Sequence, residues 1–170
     1  GKPRLCSDEL TRSQLALQAQ FGGRLITPAH FTIRRFRFND EAECHVFLNE
    51  LRQVVGKMPA FPLKSFSVVS VYSEFRQARV MKWHIILSQP LQTLTDTIEQ
   101  LIVRSGGKSL VPSRWISDQI TALEGIEDMG FFRDLSRLPV PDPLFNIEQV
   151  NLAYYSPEQD FQTLETFPLM

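Results

Sequence analysis

Three stretches of the chain place apolar residues three and four positions apart, which is the spacing of an amphipathic helix. The sequence predicts a first helix at residues 7–20, a second from Asp40 to about Gly56, and a third from Pro90 to the "SGG" at 105–107. The acidic "DEAE" that starts at Asp40 is a capping-box pattern, and the glycines after the third stretch are a typical stop signal. We therefore expect three helices.

The segments between these helices are rich in β-branched and aromatic residues, which is typical of strands. The predicted strands are residues 24–36, 61–72, 78–87, 114–123, 144–155 and 161–169, with a further helix at 128–138. The short polar "SEFRQ" at 73–77 predicts an antiparallel pair. A similar order of elements follows Gly107, so we expect one α+β domain with two lobes, roughly residues 24–107 and 108–170.

Composition and charge narrow the function classes. The 170 residues carry a formal net charge of −1, so we do not expect the chain to coat nucleic acid non-specifically. No apolar run approaches the roughly 18 residues of a membrane span, so no membrane partner is expected. Cys6 and Cys44 match no metal spacing, and we interpret them as free thiols of a cytoplasmic protein. Phosphate-loop and zinc-protease motifs are absent from the sequence, and we expect neither metal nor cofactor.

Candidate chemistry first appears in "PAHFTIRRF", residues 28–36. If this segment is a strand, His30, Thr32 and Arg34 lie on one face. A proton carrier, a hydroxyl donor and a fixed cation in a row would suit a phosphate ester. The alternation slips after Ile33, which indicates a bulge or strand end, so Arg34 is expected to face either phosphate or solvent.

This order of elements, with "HFT" at 30–32, resembles the 2H phosphoesterase superfamily of 2′-5′ RNA ligases and cyclic-nucleotide phosphodiesterases. The resemblance covers roughly residues 24–169 and includes a final strand that ends in Phe-Pro-Leu. Members of the family carry two His-x-Thr/Ser motifs on equivalent strands of two pseudo-symmetric lobes, which are antiparallel sheets with helices on their outer faces. At the second motif position this chain has Gln119, Ile120 and Thr121. Threonine is kept, but glutamine replaces histidine.

The resemblance implies a metal-independent attack on an RNA-type 2′,5′ or 2′,3′-cyclic phosphodiester. His30 would be the remaining catalytic acid or base, and Thr32, Gln119, Thr121 and Arg34 would bind the substrate. Because a glutamine amide exchanges no proton at neutral pH, binding could survive while catalysis falls. Three hypotheses stay open: an impaired phosphodiesterase, a non-catalytic module that binds a nucleotide or RNA end, and an interaction domain that keeps only the fold.

The other two histidines have different surroundings in the sequence. His45 falls on the polar side of the second predicted helix and is interpreted as a solvated residue. His84 shares one face of its predicted strand with Lys82 and would look into the cleft if the opposite, more apolar face packs on the helices. Two predictions compete here: Gln119→His restores activity, or His84 already serves as the second proton carrier.

Overall fold

The three helices expected from the apolar spacing are present in the computed structural model. They are α1 (Asp8–Phe21), α2 (Glu41–Val55) and α3 (Gln89–Arg104). The Asp40 carboxylate accepts a hydrogen bond from the backbone N–H of Ala42 at 2.7 Å, and this cap satisfies an amide that has no partner within helix α2. Ser88 caps α3 in the same way, with Pro90 in the first turn.

The strands within the described residues 8–26, 29–126, 135, 138–156 and 160–170 are mostly short. They are β1 (Arg24–Leu25), β2 (Phe36–Arg37), β3 (Phe61–Leu63), β4 (Ser65–Ser73), β5 (Ala78–Ile85), β6 (Lys108–Ser109), β7 (Gln119–Glu124), β8 (Phe145–Ile147), β9 (Gln149–Ser156) and β10 (Asp160–Pro168). The β4–β5 pair is antiparallel, as the "SEFRQ" turn predicts. The α+β class is confirmed, with antiparallel sheets and three helices in the described part.

The chain forms two compact units, and each unit gathers three separate segments. The first contains the described parts of Gly1–Thr32, Pro62–Leu87 and Ser117–Phe145. The second contains those of Ile33–Phe61, Ser88–Ile116 and Asn146–Met170. This interleaving differs from the two successive lobes, 24–107 and 108–170, expected from the order of elements.

The first unit is built on a four-stranded sheet in the order β1-β7-β5-β4. Helix α1 packs on β1 and β7. Gln14 of that helix is buried, and its side-chain amide donates to the carbonyls of Ile26 at 2.9 Å and Ala122 at 3.3 Å. These bonds satisfy a buried polar group, as a closed core requires. Trp83 and Ile120, paired across β5 and β7, are both buried on this sheet.

In the second unit α2 packs against α3 and β10. This unit also contains the strand pairs β2–β6 and β9–β10. Phe36, Phe38 and Phe47 form an aromatic cluster with ring centroids 5.2–5.8 Å apart. Arg52 forms an ion pair with Glu165. Aromatic packing and the apolar faces of the two helices therefore supply the core of this unit.

Two predicted strands are shorter than expected. Residues 29–35 carry no strand pairing, so among the described residues of the predicted strand 24–36 only β1 and β2 form. The chain passes from the first unit to the second after Thr32. Of the predicted strand 114–123 only the part from Gln119 forms, because the backbone turns at Pro112, whose carbonyl accepts from the Trp115 amide at 2.9 Å.

Other expectations concern residues at the edge of what the structure describes. The predicted helix at 128–138 lies almost entirely outside the described residues. The same holds for Cys6, whereas Cys44 carries a free thiol. Among the helices described here, none is long and apolar enough to cross a membrane.

Candidate functional site

The polar side of the β5–β7 pair holds four side chains with hydrogen-bonding or titratable groups. Lys82 lies opposite Thr121 and His84 opposite Gln119, while the intervening Trp83 lies opposite Ile120. Directly opposed residues of an antiparallel pair point to the same face, with Cβ atoms about 4.5–5.5 Å apart. Trp83 and Ile120 are buried, and the other four side chains are partly exposed. We call Lys82, His84, Gln119 and Thr121 the β5–β7 polar face.

His84 is the most closely surrounded member of this face. Its Nε2 lies 3.4 Å from Oδ2 of Asp118, and the Phe66 ring lies against the imidazole with centroids 4.7 Å apart. The Ser65 hydroxyl donates to the backbone carbonyl of His84 at 2.6 Å. These neighbours surround the imidazole on several sides. The side chain is 31% exposed, so a small solute can still reach it.

Lys82 supplies a cation to the same face. Burial lowers the pKa of its ammonium group below the ordinary lysine value, with the positive charge of Arg76 acting in the same direction and the Asp118 carboxylate opposing it. A partly desolvated ammonium beside a threonine hydroxyl can attract an anion such as a phosphate oxygen.

Glu124, at the far end of β7, is bound by two arginines. The Arg24 guanidinium lies 2.8 Å from its carboxylate and that of Arg76 lies 2.7 Å away. Burial alone would raise the pKa of the Glu124 carboxyl, but the two arginine hydrogen bonds and charges outweigh it and hold that pKa below its ordinary value. This ion triad supports the end of the sheet.

His30 and Thr32 lie in the segment 29–35 between β1 and β2, which forms neither helix nor strand, and both are partly exposed. They belong to the first unit, as do Gln119 and Thr121, so both motifs fall in one unit. Because β1 runs antiparallel to β7, the chain leaves β1 toward the end of β7 that carries Gln119. The approach of His30 to Gln119 across a cleft stays a prediction.

Arg34 belongs to the second unit. Its guanidinium is buried, with Nε 2.8 Å from the Glu99 carboxylate. The other two nitrogens donate to the backbone carbonyls of Trp115 at 2.6 Å and Ser113 at 2.9 Å. Two of the three nitrogens thus donate to acceptors of the protein and the third lies within ion-pair distance of a carboxylate, which favours a structural role. The phosphate-binding role expected for Arg34 stays a prediction.

Two neighbours of the β5–β7 polar face, Asp118 and Phe66, were missed by the sequence reasoning. The acid directly precedes the "QIT" motif, which was a usable signal. The contact of Phe66 with His84 depends on the bulge between Ser65 and Ser67, which no spacing in the sequence predicts. No group of three or more histidine, cysteine, aspartate or glutamate side chains suited to a metal ion occurs among the residues placed by the structure.

The chain was compared with known protein families, sequences and structures. No protein-family model matches the chain, and no curated protein matches its sequence. A phosphoesterase crystal structure, 13% identical, has a TM-score of 0.63 over 96% of this chain and 93% of that chain. Escherichia coli LigT complexed with 3′-AMP, 14% identical, has a TM-score of 0.64 over the same shares.

A Thermus thermophilus protein, 16% identical, has a TM-score of 0.61 over 95% of this chain and 90% of that chain. The likeness to each structure extends over nearly the whole chain on both sides. At these identities it establishes the fold. The chain has the mixed α+β fold of these solved structures.

Proposed function

We propose that this protein is a phosphoesterase of the 2H type that acts on an RNA-type 2′,5′ or 2′,3′-cyclic phosphodiester. The observation that carries the proposal is the likeness of fold to phosphoesterase structures over 96% of the chain, one of them holding 3′-AMP. His30 is the acid or base, and the hydroxyls of Thr32 and Thr121 hold the non-bridging phosphate oxygens. Gln119 contributes an amide donor.

The reaction would be a hydrolysis driven by proton transfers. A water oxygen forms a bond to phosphorus, and the bond between phosphorus and one ribose oxygen breaks. The attacking water loses a proton and the departing ribose oxygen gains one, so a phosphate monoester and a free hydroxyl result. His30 performs one of these transfers, because an imidazole can hold or release a proton near neutral pH. In this proposal no metal takes part.

The replacement of histidine by Gln119 favours a second candidate function. An amide can hold a phosphate oxygen through its N–H groups, but it cannot exchange a proton at neutral pH. The loss of a general acid or base lowers the rate by a factor of about 10²–10⁴. A cytoplasmic module that binds a nucleotide or RNA end without turnover is therefore the alternative.

Incubation with 2′,3′-cyclic AMP and with a 2′,5′-linked dinucleotide tests the proposal. Products are separated chromatographically, and 3′-AMP binding is measured separately by calorimetry. We expect turnover that is insensitive to EDTA and that falls about 10²–10⁴-fold in His30→Ala. His45→Ala is the matched control, because this histidine lies exposed on α2 in the other unit.

The outcomes separate the two candidates. Turnover by the wild type that is lost in His30→Ala and kept in His45→Ala supports the enzyme. Binding of 3′-AMP without turnover of either substrate supports the binding module. If the wild type neither binds 3′-AMP nor cleaves a substrate, both candidates are wrong and the protein keeps only the fold.

A further inference from the structure

We propose that His84, positioned by Asp118 and Phe66, is the second proton carrier of this site and performs the transfer that Gln119 cannot. The inference rests on the proposed phosphodiesterase function and completes its proton transfers with a residue outside both motifs. It follows from the register of the sheet, which places an imidazole beside the position where the second motif lacks one.

The register provides the first argument. His84 and Gln119 are direct partners across β5 and β7, so their Cβ atoms stand about 5 Å apart on one face. An imidazole is long enough to bring a ring nitrogen over the neighbouring position from there. Lys82 and Thr121 occupy the next pair on the same face, which adds a cation and a hydroxyl beside the imidazole.

The surroundings of the ring provide the second argument. Asp118 Oδ2 lies 3.4 Å from Nε2, and its backbone carbonyl accepts from the Ile85 amide at 2.6 Å, so the carboxylate is tied to the strand that carries His84. Phe66 covers one face of the imidazole. A carboxylate 3.4 Å from one nitrogen and a ring against one face favour one orientation of the imidazole and leave the other nitrogen, Nδ1, for proton exchange.

His84 and His30 then divide the two transfers. One neutral imidazole takes the proton of the attacking water as the oxygen–phosphorus bond forms. The other imidazole, protonated, gives its proton to the ribose oxygen as the phosphorus–oxygen bond breaks. The net reaction consumes one water, and exchange with solvent restores both imidazoles to their starting states. Gln119 keeps the role of an amide donor to the phosphate.

Substitution of the ring tests the assignment with the same two substrates. We expect His84→Asn to lower kcat by a factor of about 10²–10⁴ while 3′-AMP binding changes little. Asp118→Asn, which leaves the ring in place without its carboxylate, should lose less than His84→Asn. The matched control is His45→Asn, which should retain wild-type turnover.

A second variant moves the imidazole across the strand pair. In His84→Asn/Gln119→His the ring stands on the opposing strand, and we expect roughly tenfold or greater recovery of the lost rate. A third measurement follows binding and does not depend on turnover. Histidine NMR signals of the wild type are assigned by comparison with His84→Asn and His45→Asn, and they are then followed as 3′-AMP is added. The His84 signals should shift and those of His45 should stay.

The outcomes distinguish this inference from the proposed function. Wild-type turnover that is lost in His30→Ala but fully kept in His84→Asn overturns the role of His84 and leaves the phosphodiesterase proposal standing. His84 signals that do not respond to 3′-AMP overturn it as well. A wild type that cleaves neither substrate overturns both. Loss of turnover in each of the two histidine variants, with rescue by the transferred imidazole, supports both.

Discussion

Replacing Arg34 with methionine should destabilise the second unit and leave nucleotide binding unchanged. The Arg34 side chain is 1% exposed and its Nε lies 2.8 Å from Oε2 of Glu99, which is 12% exposed. Two further nitrogens donate to backbone carbonyls of the segment that precedes β7. The guanidinium therefore joins the segment before β2, helix α3 and the 112–115 turn within one unit.

The magnitude follows from the ion pair. Methionine keeps a flexible apolar stem but removes the charge, so the Glu99 carboxylate would stay in a largely dry site without its cation. Breaking a buried pair by removing one partner costs about 3–5 kcal/mol. Against the roughly 5–15 kcal/mol free energy of unfolding of an ordinary domain, this is a large fraction. Arg34→Met/Glu99→Leu, which removes both charges, should recover part of the loss.

Urea unfolding followed by tryptophan fluorescence measures this difference, because Trp115 belongs to the turn whose backbone carbonyls accept from the guanidinium. Arg37→Met is the control: this arginine is exposed on β2, and its loss should change the free energy of unfolding by no more than about 0.5 kcal/mol. The reasoning is refuted if Arg34→Met unfolds like the control and at the same time binds 3′-AMP much more weakly. Arg34 would then be a phosphate ligand.

Three further outcomes are expected. In the wild-type background Gln119→His should raise turnover of 2′,3′-cyclic AMP only modestly if His84 already transfers the proton, and by up to about 10²–10⁴-fold if it does not. Glu124→Gln should lower the free energy of unfolding at neutral pH, and the deficit should shrink below about pH 4 in acid titrations, because a carboxyl with a lowered pKa stabilises the fold only while it is ionised. Gly23→Ala should lower the melting temperature more than Gly125→Ala: both residues have positive φ, but only at Gly23 would the new Cβ meet a backbone oxygen, at 2.7 Å.

The helices could be predicted from the sequence because the features that define them are local. Apolar spacing, a capping aspartate at position 40 and a proline in the first turn of α3 act within a few residues of each other. The β4–β5 pair was readable for the same reason, since a short polar turn joins two β-branched runs. The bounds of such elements depend mainly on neighbours along the chain.

The segment 29–35 could not be predicted in this way. Its alternation of polar and apolar residues is that of a strand, but pairing needs a partner, and the chain changes units within this segment. The contacts of Arg34 could not be predicted for the same reason: Glu99 and the 112–115 turn lie far along the chain from it. Long-range partners decide what an isolated motif cannot.

In the candidate site too, an isolated motif does not identify the long-range partners. A motif identifies a residue type at one position, but an antiparallel sheet brings two positions from different strands within about 5 Å on one face. Residues 84 and 119 are such a pair, so an imidazole can serve the same phosphate from either strand. Loss of histidine at position 119 is therefore not equivalent to loss of an imidazole from this face. Measuring the effect of Gln119→His with and without His84→Asn tests whether an imidazole at either position does the same work. Independent effects of the two substitutions on turnover would mean that they act on unrelated groups. Rescue by Gln119→His in the His84→Asn background alone would mean that the two positions supply one proton carrier.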